Sequence, residues 1–243
     1  MIDTKKRSII KTLTWRVIAV ILLAVTSFLT TGDLRTASLI TLIYHSIQLG
    51  MFFIHERVWN MVSWGRSSGL FIQMTGMSGA GKTTLARIVQ QRLQKKGMQV
   101  EVIDGDEYRS NLCSDLGFSK EDRNTNIRRL GFVAKVLARN NVVSIISAIN
   151  PYESVREELS GMDNNVKTVY VSCGLETLKK RDTKGLYRKA LLPDGDPEKI
   201  HNFTGISDPF EEPSTADLIV DTEEEDIEAS AHKLEEFIVR SVS

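Results

Sequence analysis

Gly76-Met-Ser78-Gly79-Ala80-Gly81-Lys82-Thr83 places glycines, a lysine and a hydroxyl at the spacing G-x-x-x-x-G-K-[ST] without a mismatch, and Thr84 follows. Glycines at these positions let a backbone wrap around phosphate oxygens, and a helix starting there aims its amides and dipole at negative charge. Lys82 would then reach the β- and γ-phosphates of a nucleoside triphosphate, and the Thr83 hydroxyl would bind Mg²⁺. The alternative is a glycine turn with a surface lysine. A cation at a helix start without an anion is unfavourable, which argues against it. Asp104-Gly105-Asp106 is the second chemical group. Two acids flanking a glycine can support Mg²⁺ or accept a hydroxyl proton, or they can be a solvated Asp-Gly turn.

The elements needed to hold these groups are legible around them. Leu70-Phe-Ile-Gln-Met-Thr75 reads as a buried strand before the loop, and Leu85, Ile88, Val89 and Leu93 form a helical stripe after it. Further strands are predicted at Val100–Asp104, Val142–Ser147, Val166–Val171 and Leu218–Asp221. Helical patterns run over Asp122–Asn140, Tyr152–Gly161, Leu175–Arg181 and Asp226–Val239. Alternating strands and helices predict an α/β fold, a P-loop NTPase-type parallel sheet covered by helices on both faces. Asp104 would lie at the carboxyl edge of that sheet, where ligands bind. Residues 183–208 contain Pro193-Asp-Gly-Asp-Pro197 and little regular pattern, and are expected to form a lid. Glu223-Glu-Glu-Asp226 reads as acids at a helix N-terminus.

The 243 residues suit one or two domains, and their 42% hydrophobic content excludes wholesale disorder. Lys+Arg and Asp+Glu both total 31, but residues 1–66 hold eight basic residues against three acids and the remainder 23 against 28. No basic stripe points to nucleic acid. Cys113 and Cys173 are too few and too far apart for a disulfide scaffold or a metal site, and two thiols suit the cytosol. Arg16 to Asp33 and Arg35 to Glu56 enclose two uncharged, largely apolar stretches joined by Gly32-Asp33-Leu34-Arg35. A bilayer-spanning helix needs about 20 apolar residues, so a hairpin of two membrane helices is expected, the first of marginal length. Lys5, Lys6, Arg7 and Lys11 precede it and Arg57 and Arg66 follow, which puts both ends in the cytoplasm, with Trp59 and Trp64 at the interface. A cleaved signal peptide, a soluble hairpin and an in-plane anchor are the competing readings. His45 and Gln48 share a helical face, read as a helix–helix hydrogen bond or as a polar lining. The division expected is therefore 1–66, an all-α transmembrane hairpin, and 67–243, with Ser67-Ser68-Gly69 as linker.

Residues 1–66 resemble a small two-helix membrane domain of unknown function found in bacteria, through Lys11-Thr-Leu-Thr-Trp-Arg16, His55-Glu-Arg-Val-Trp59 and Trp64-Gly-Arg66. The rest resembles the adenylylsulfate kinase family. The matching blocks are the phosphate loop, Asp104-Gly-Asp106, Asp115-Leu-Gly-Phe118-Ser with Glu121-Asp-Arg123, and Asn126-Ile-Arg-Arg129. Pro151-Tyr152, Arg181-Asp-Thr-Lys184-Gly-Leu-Tyr187, and Phe203-Thr-Gly-Ile206 with Asp208-Pro209 continue the series. The resemblance implies transfer of the ATP γ-phosphoryl to the 3′-hydroxyl of adenosine 5′-phosphosulfate, giving 3′-phosphoadenosine 5′-phosphosulfate, with Mg²⁺. The hairpin and its flanking charges would hold it at the inner (cytoplasmic) membrane with the kinase facing the cytoplasm. It further implies that Arg109, Arg123 and Asn126 hold the acceptor's phosphosulfate and sugar, and that Phe118 and Phe203 sandwich its adenine. Ile149, Asn150 and Leu186 would line that subsite, Lys184 would be an acceptor-side lid lysine, and Arg181 would lie by the ATP phosphates. Asp106 would orient or deprotonate the 3′-hydroxyl, and Asp104 would support Mg²⁺ through water. A homodimer is also implied, since the family is often dimeric.

The chain departs from the family pattern in places. Asn150-Pro-Tyr-Glu153 stands where Ser-Pro-Tyr-Arg is common, so a phosphoserine form is not expected, and the lost arginine is expected to alter acceptor affinity. Glu107 stands where asparagine is usual, and the lid is longer than typical. A kinase for another nucleotide acceptor and a non-catalytic nucleotide sensor signalling through the hairpin are the alternative readings.

Overall fold

The structure, a computed structural model, describes residues 5–61, 69–163 and 165–242, with side chains from residue 14 onward except at 56 and 59–61. Trp64, Arg66, Ser67 and Ser68 lie outside the described residues, as do the side chains of Lys5, Lys6, Arg7, Lys11 and Trp59. The chain divides into two compact units, Met1–Arg66 and Ser67–Ser243.

In the first unit, α1 (Lys5–Thr31) and α2 (Leu34–Met61) pack on each other. Gly32 ends α1 at φ 68, a conformation that favours glycine, and the Asp33 carboxylate accepts from the Thr36 amide at 2.8 Å to start α2. The small side chains Ser27 and Ala37 are buried, while Leu29, Leu42, Ile47 and Phe53 are exposed. Small residues let helix backbones approach closely, and an outer surface this apolar suits a solvent other than water. The windows Thr14–Thr31 and Leu34–His55, 18 and 22 residues with mean hydropathy 1.7 and 1.6, are long and apolar enough to cross a membrane. His45 Nδ1 and Gln48 Oε1 meet at 3.1 Å within α2, so this bond is made along one helix rather than across two.

The second unit is built on a parallel sheet that has five strands among the described residues: β1 (Leu70–Thr75), β2 (Val100–Asp104), β3 (Val143–Ser147), β4 (Val166–Ser172) and β5 (Leu218–Asp221). Their order is β2-β3-β1-β4-β5. All six β1 residues are buried, as an apolar run covered on both faces requires. Leu70, Ile72 and Met74 join one core with Leu85, Val89 and Leu93 of α3 (Lys82–Lys95) and Leu234 and Ile238 of α9 (Ile227–Val242). Phe71 joins a second core with Leu130 and Ala134 of α5 (Lys120–Arg139) and Val155 and Leu159 of α6 (Glu153–Ser160). The two cores lie on opposite faces of the sheet because side chains alternate along the strand. The remaining helices are α4 (Gly105–Asn111), α7 (Leu175–Arg181) and α8 (Leu186–Ala190). The helix α8 corrects the expectation of a patternless lid. Asp182 accepts from the Tyr187 and Arg188 amides at 3.0 Å each, which ties down its first turn. Because β1 lies between β3 and β4, the chain leaves it toward one edge and later crosses to the other. The crevice beyond its carboxyl end is the switch point where such sheets bind ligands.

Candidate active site

The loop after β1 carries Gly76, Gly79 and Gly81 at φ 148, 79 and 94. A side chain on Gly76 would strike the Val171 carbonyl at 2.4 Å, so this tight passage admits only glycine. Gly81 leads into α3, whose first turn has no side-chain cap and no acid. Its amides are therefore free of local competitors for an anion. Lys82 is buried, and its Nζ donates to the Gly76 and Met77 carbonyls at 2.7 and 2.8 Å. Burial pulls its pKa down to about 8; Lys184 adds to this and Asp106 and Asp104 oppose it.

Thr83 joins the loop to the acidic edge. Its Oγ1 donates to Asp104 Oδ2 at 2.7 Å and stands 2.9 Å from Ser147 Oγ at the end of β3. Asp104 Oδ1 caps α4, accepting from the Asp106 and Glu107 amides at 3.0 and 3.2 Å. Burial pushes this carboxyl up, but the Thr83 hydroxyl, the two amides and Lys184 outweigh it and hold it below the usual carboxylate range. Among the described residues no three His, Cys, Asp or Glu side chains cluster as a metal site. The Thr83, Asp104 and Ser147 oxygens still form a hard donor set. Such a set fits Mg²⁺, which keeps most of its waters and takes few protein ligands alongside substrate phosphates.

A cleft of about 700 Å³ runs from this corner, lined by Ser78, Gly79, Gly81, Lys82, Thr83, Thr84, Asp104, Asp106, Arg109, Phe118, Arg123, Asn126, Ile149, Asn150, Lys184, Leu186 and Phe203. That volume suits a nucleotide-sized ligand. Asp106, largely exposed, pairs with Lys184 Nζ at 2.6 Å. Arg109 stands over the Phe118 ring at 4.6 Å from its centroid, and Arg123 at 5.8 Å. Burial, and next the charge of Arg123, lower the Arg109 pKa, so the two guanidiniums form one positive field suited to an oxyanion. Arg123 also donates to Thr204 Oγ1 at 2.9 Å and to the Asn202 carbonyl, which holds the segment carrying Phe203 beside α5. Phe118 is exposed, whereas Phe203 is buried edge-on against Tyr187 with centroids 5.0 Å apart. Asn126 and Asn150 are both buried, and the Oδ1 of each lacks a partner among the described residues.

Several expected residues stand elsewhere. Gly76 and Ala80 shape the loop from behind: Gly76 donates to the Ile149 carbonyl at 3.2 Å, and the Ala80 carbonyl accepts from Thr222 Oγ1 at 3.0 Å. Arg181 does not line the cleft; it donates to the Thr222 carbonyl at 2.7 Å and contacts Cys173 Sγ at 3.5 Å. Glu153 turns away as well. It takes both Nε and Nη2 of the buried Arg156, and its other oxygen accepts from the Ser214 amide and hydroxyl at 3.1 and 2.6 Å. The acid that stands in place of the family's arginine therefore anchors the segment before β5 and does not line the cleft. Ser147, Thr183, Thr204 and Tyr187 were missed. Ser147 ends a strand with only ordinary strand signals, and Tyr187 acts through its hydroxyl, which donates to the Ser78 carbonyl at 2.9 Å.

A parallel sheet, a glycine loop with Lys82 and Thr83, and an acid at the neighbouring strand end define a P-loop kinase. Comparison with known proteins narrows the class. Residues 68–221 match the family described as adenylylsulphate kinase, and the chain belongs to that family of enzymes. Residues 9–60 match a second family, described as a predicted membrane protein (DUF2061). The adenylyl-sulfate kinase of Rippkaea orientalis is 46% identical over 169 residues, covering 70% of this chain and 91% of that one. A protein of Sorangium cellulosum named "Probable bifunctional SAT/APS kinase 2" is 47% identical over 167 residues, 69% of this chain, and the match spans only 28% of its length. Among solved structures, the Mycobacterium tuberculosis APS kinase in complex with AMPPNP and APS is similar with a TM-score of 0.66 at 33% identity, over 71% of this chain and 99% of that one.

Proposed function

We propose that the protein transfers the γ-phosphoryl group of ATP to the 3′-hydroxyl of adenosine 5′-phosphosulfate, and that its N-terminal hairpin holds it in the cytoplasmic membrane. The observation that carries the first part is one cleft joining the phosphate loop, the Asp104–Asp106 edge and the Arg109–Arg123 pair, in a chain of this family. The loop amides and Lys82 bind the triphosphate and neutralise charge as it spreads over the γ-phosphoryl oxygens. Thr83 and Asp104 hold Mg²⁺, which neutralises phosphate charge when bound. Arg109 and Arg123, with Asn126, hold the phosphosulfate and sugar, and Phe118 and Phe203 the adenine. Ile149, Asn150 and Leu186 wall this subsite, and closure of the segment that carries Lys184 and Phe203 excludes water. Asp106 accepts the 3′-hydroxyl proton, and Lys184, now its ion partner at 2.6 Å, moves to the acceptor's charge.

The membrane part rests on the two long apolar helices, their exposed large side chains and the match of residues 9–60 to a predicted membrane protein family. Basic residues at both outer ends orient those ends to the cytoplasm. The full-length protein incubated with ATP, Mg²⁺ and a panel of nucleotide acceptors is expected to yield 3′-phosphoadenosine 5′-phosphosulfate from adenosine 5′-phosphosulfate alone; another preferred acceptor, or none, sinks the reading. Membranes washed at high salt and alkaline pH should retain the protein, and release by either wash would refute the anchor.

A further inference from the structure

Alternation along β1 puts Gln73 on the same face as Phe71, among apolar side chains of α5 and α6. It is fully buried, an expensive place for a carboxamide unless every polar atom is used. Gln73 Nε2 donates to the Arg156 carbonyl at 3.0 Å and lies 2.9 Å from both Ser160 Oγ and Thr168 Oγ1. The two hydroxyls can donate or accept and do not orient the amide. The Arg156 carbonyl can only accept, so the nitrogen of Gln73 must face it and the oxygen must face the other way. That oxygen accepts from Asn150 Nδ2 at 3.1 Å. Asn150 is thereby oriented in turn, with one amide hydrogen committed to Gln73 and its Oδ1 left as an acceptor without a partner among the described residues. The backbone of Asn150 sits at φ 44, which asparagine tolerates better than most residues, and the Asn150 carbonyl is held by Thr75 Oγ1 at 3.0 Å and Arg156 Nη1 at 2.7 Å. Asn150 lines the cleft, and Asn126, also in the lining, adds a second carboxamide oxygen without a partner among the described residues.

We infer that Gln73, which does not itself line the cleft, is a positioning residue: it presents the Asn150 carboxamide to the acceptor as a hydrogen-bond acceptor, so that the site selects an acceptor nucleotide by a donor group on its uncharged part. The inference rests on the reading of the cleft as an acceptor-nucleotide site. A carbonyl oxygen repels phosphate and sulfate, so its partner belongs to the nucleoside. With the 3′-hydroxyl engaged by Asp106, the donors left are the 2′-hydroxyl and the exocyclic amine of adenine.

The test compares adenosine 5′-phosphosulfate with its 2′-deoxy and its 6-oxopurine counterparts in the full-length protein and in Gln73→Met. Methionine keeps the length of the side chain, and Ser160 can turn its hydroxyl back to the Arg156 carbonyl one helical turn away, so the fold is expected to survive. The wild type should disfavour one of the two analogues about tenfold in kcat/KM, the worth of one hydrogen bond left unmade. Gln73→Met should bring that ratio to within twofold of unity, raise the acceptor KM and leave the ATP KM alone. Asn150→Ala should do the same, and the double variant should be no worse than Asn150→Ala. Equal use of all three acceptors by the wild type overturns the inference, as does a Gln73→Met protein that keeps the wild-type ratio, while both leave the kinase reading standing. Should Gln73→Met not fold, Asn150→Ala decides alone, and an unchanged ratio there is fatal. A wild type inactive on adenosine 5′-phosphosulfate brings down both readings.

Discussion

On the phosphate-loop side of the cleft the available groups are mostly main chain, fixed by Gly76, Gly79 and Gly81 and by the uncapped first turn of α3, with Lys82 and Thr83 buried or half-buried among them. On the proposed acceptor side they are side chains: Asp106 and Arg109 of α4, Phe118 and Lys184 reach in from three segments, and the Asp106–Lys184 pair is largely exposed. Triphosphate recognition asks for the same geometry whatever the substrate, and backbone amides supply it with little entropy left to lose. Acceptor recognition must distinguish one nucleotide from another and let it leave, and side chains on a closing segment can do both. The first half is built to be rigid and the second to be selective.

The sharpest way to break this comparison is Lys82→Ala. It should lower kcat by about 10³-fold or more, as loss of preorganised charge stabilisation does, with acceptor affinity kept. A variant within tenfold of wild type would mean that the loop is not where charge is neutralised. Asp106→Asn comes next, with kcat reduced about 10²- to 10⁴-fold and both KM values within a few-fold, as expected for a lost proton acceptor. A pure KM effect in steady-state assays would make Asp106 a binding residue. Arg123→Ala should raise the acceptor KM about 10- to 100-fold, the worth of charge-assisted bonds to an oxyanion, without moving the ATP KM. If the ATP KM moved equally, the two halves would not be separate.

The smallest effect concerns pH. Lys82 has its pKa pulled down to about 8 by burial, and a bound triphosphate would raise it again. Above pH 8, then, part of the protein carries neutral Lys82 and takes up a proton when ATP binds, so affinity falls as pH rises through about 8. Titration calorimetry at about pH 9 in buffers of different ionisation heat should show net uptake, absent in Lys82→Ala.

Much of this was legible along the chain because the signals are local. The phosphate loop is one contiguous motif, and the β1 run and the α3 stripe beside it stand where expected. β3 begins one residue later and β4 ends one residue later than their apolar runs imply, because pairing rather than apolarity decides where a strand stops. What the motifs do not announce are the partners that distant segments supply. The Arg181 guanidinium on α7 finds the Thr222 carbonyl beyond β5, and Thr222 in turn bonds the phosphate loop at Ala80. Glu153 gives one oxygen to Arg156 one turn along α6 and the other to Ser214 before β5. The Thr222 and Ser214 partners lie tens of residues away along the chain, and nothing local announces them.

By itself the sequence determined the phosphate loop, the alternation of strands and helices and the two apolar helices at the start, since glycine geometry, side-chain periodicity and hydropathy act over a few residues. Only the tertiary structure decided the strand order that sets Asp104 and Ser147 beside Thr83, and the chain of carboxamides from the Arg156 carbonyl through Gln73 to Asn150. Hydrogen bonds are short and directional, so which donors and acceptors meet is settled when the sheet closes and its helices dock upon it.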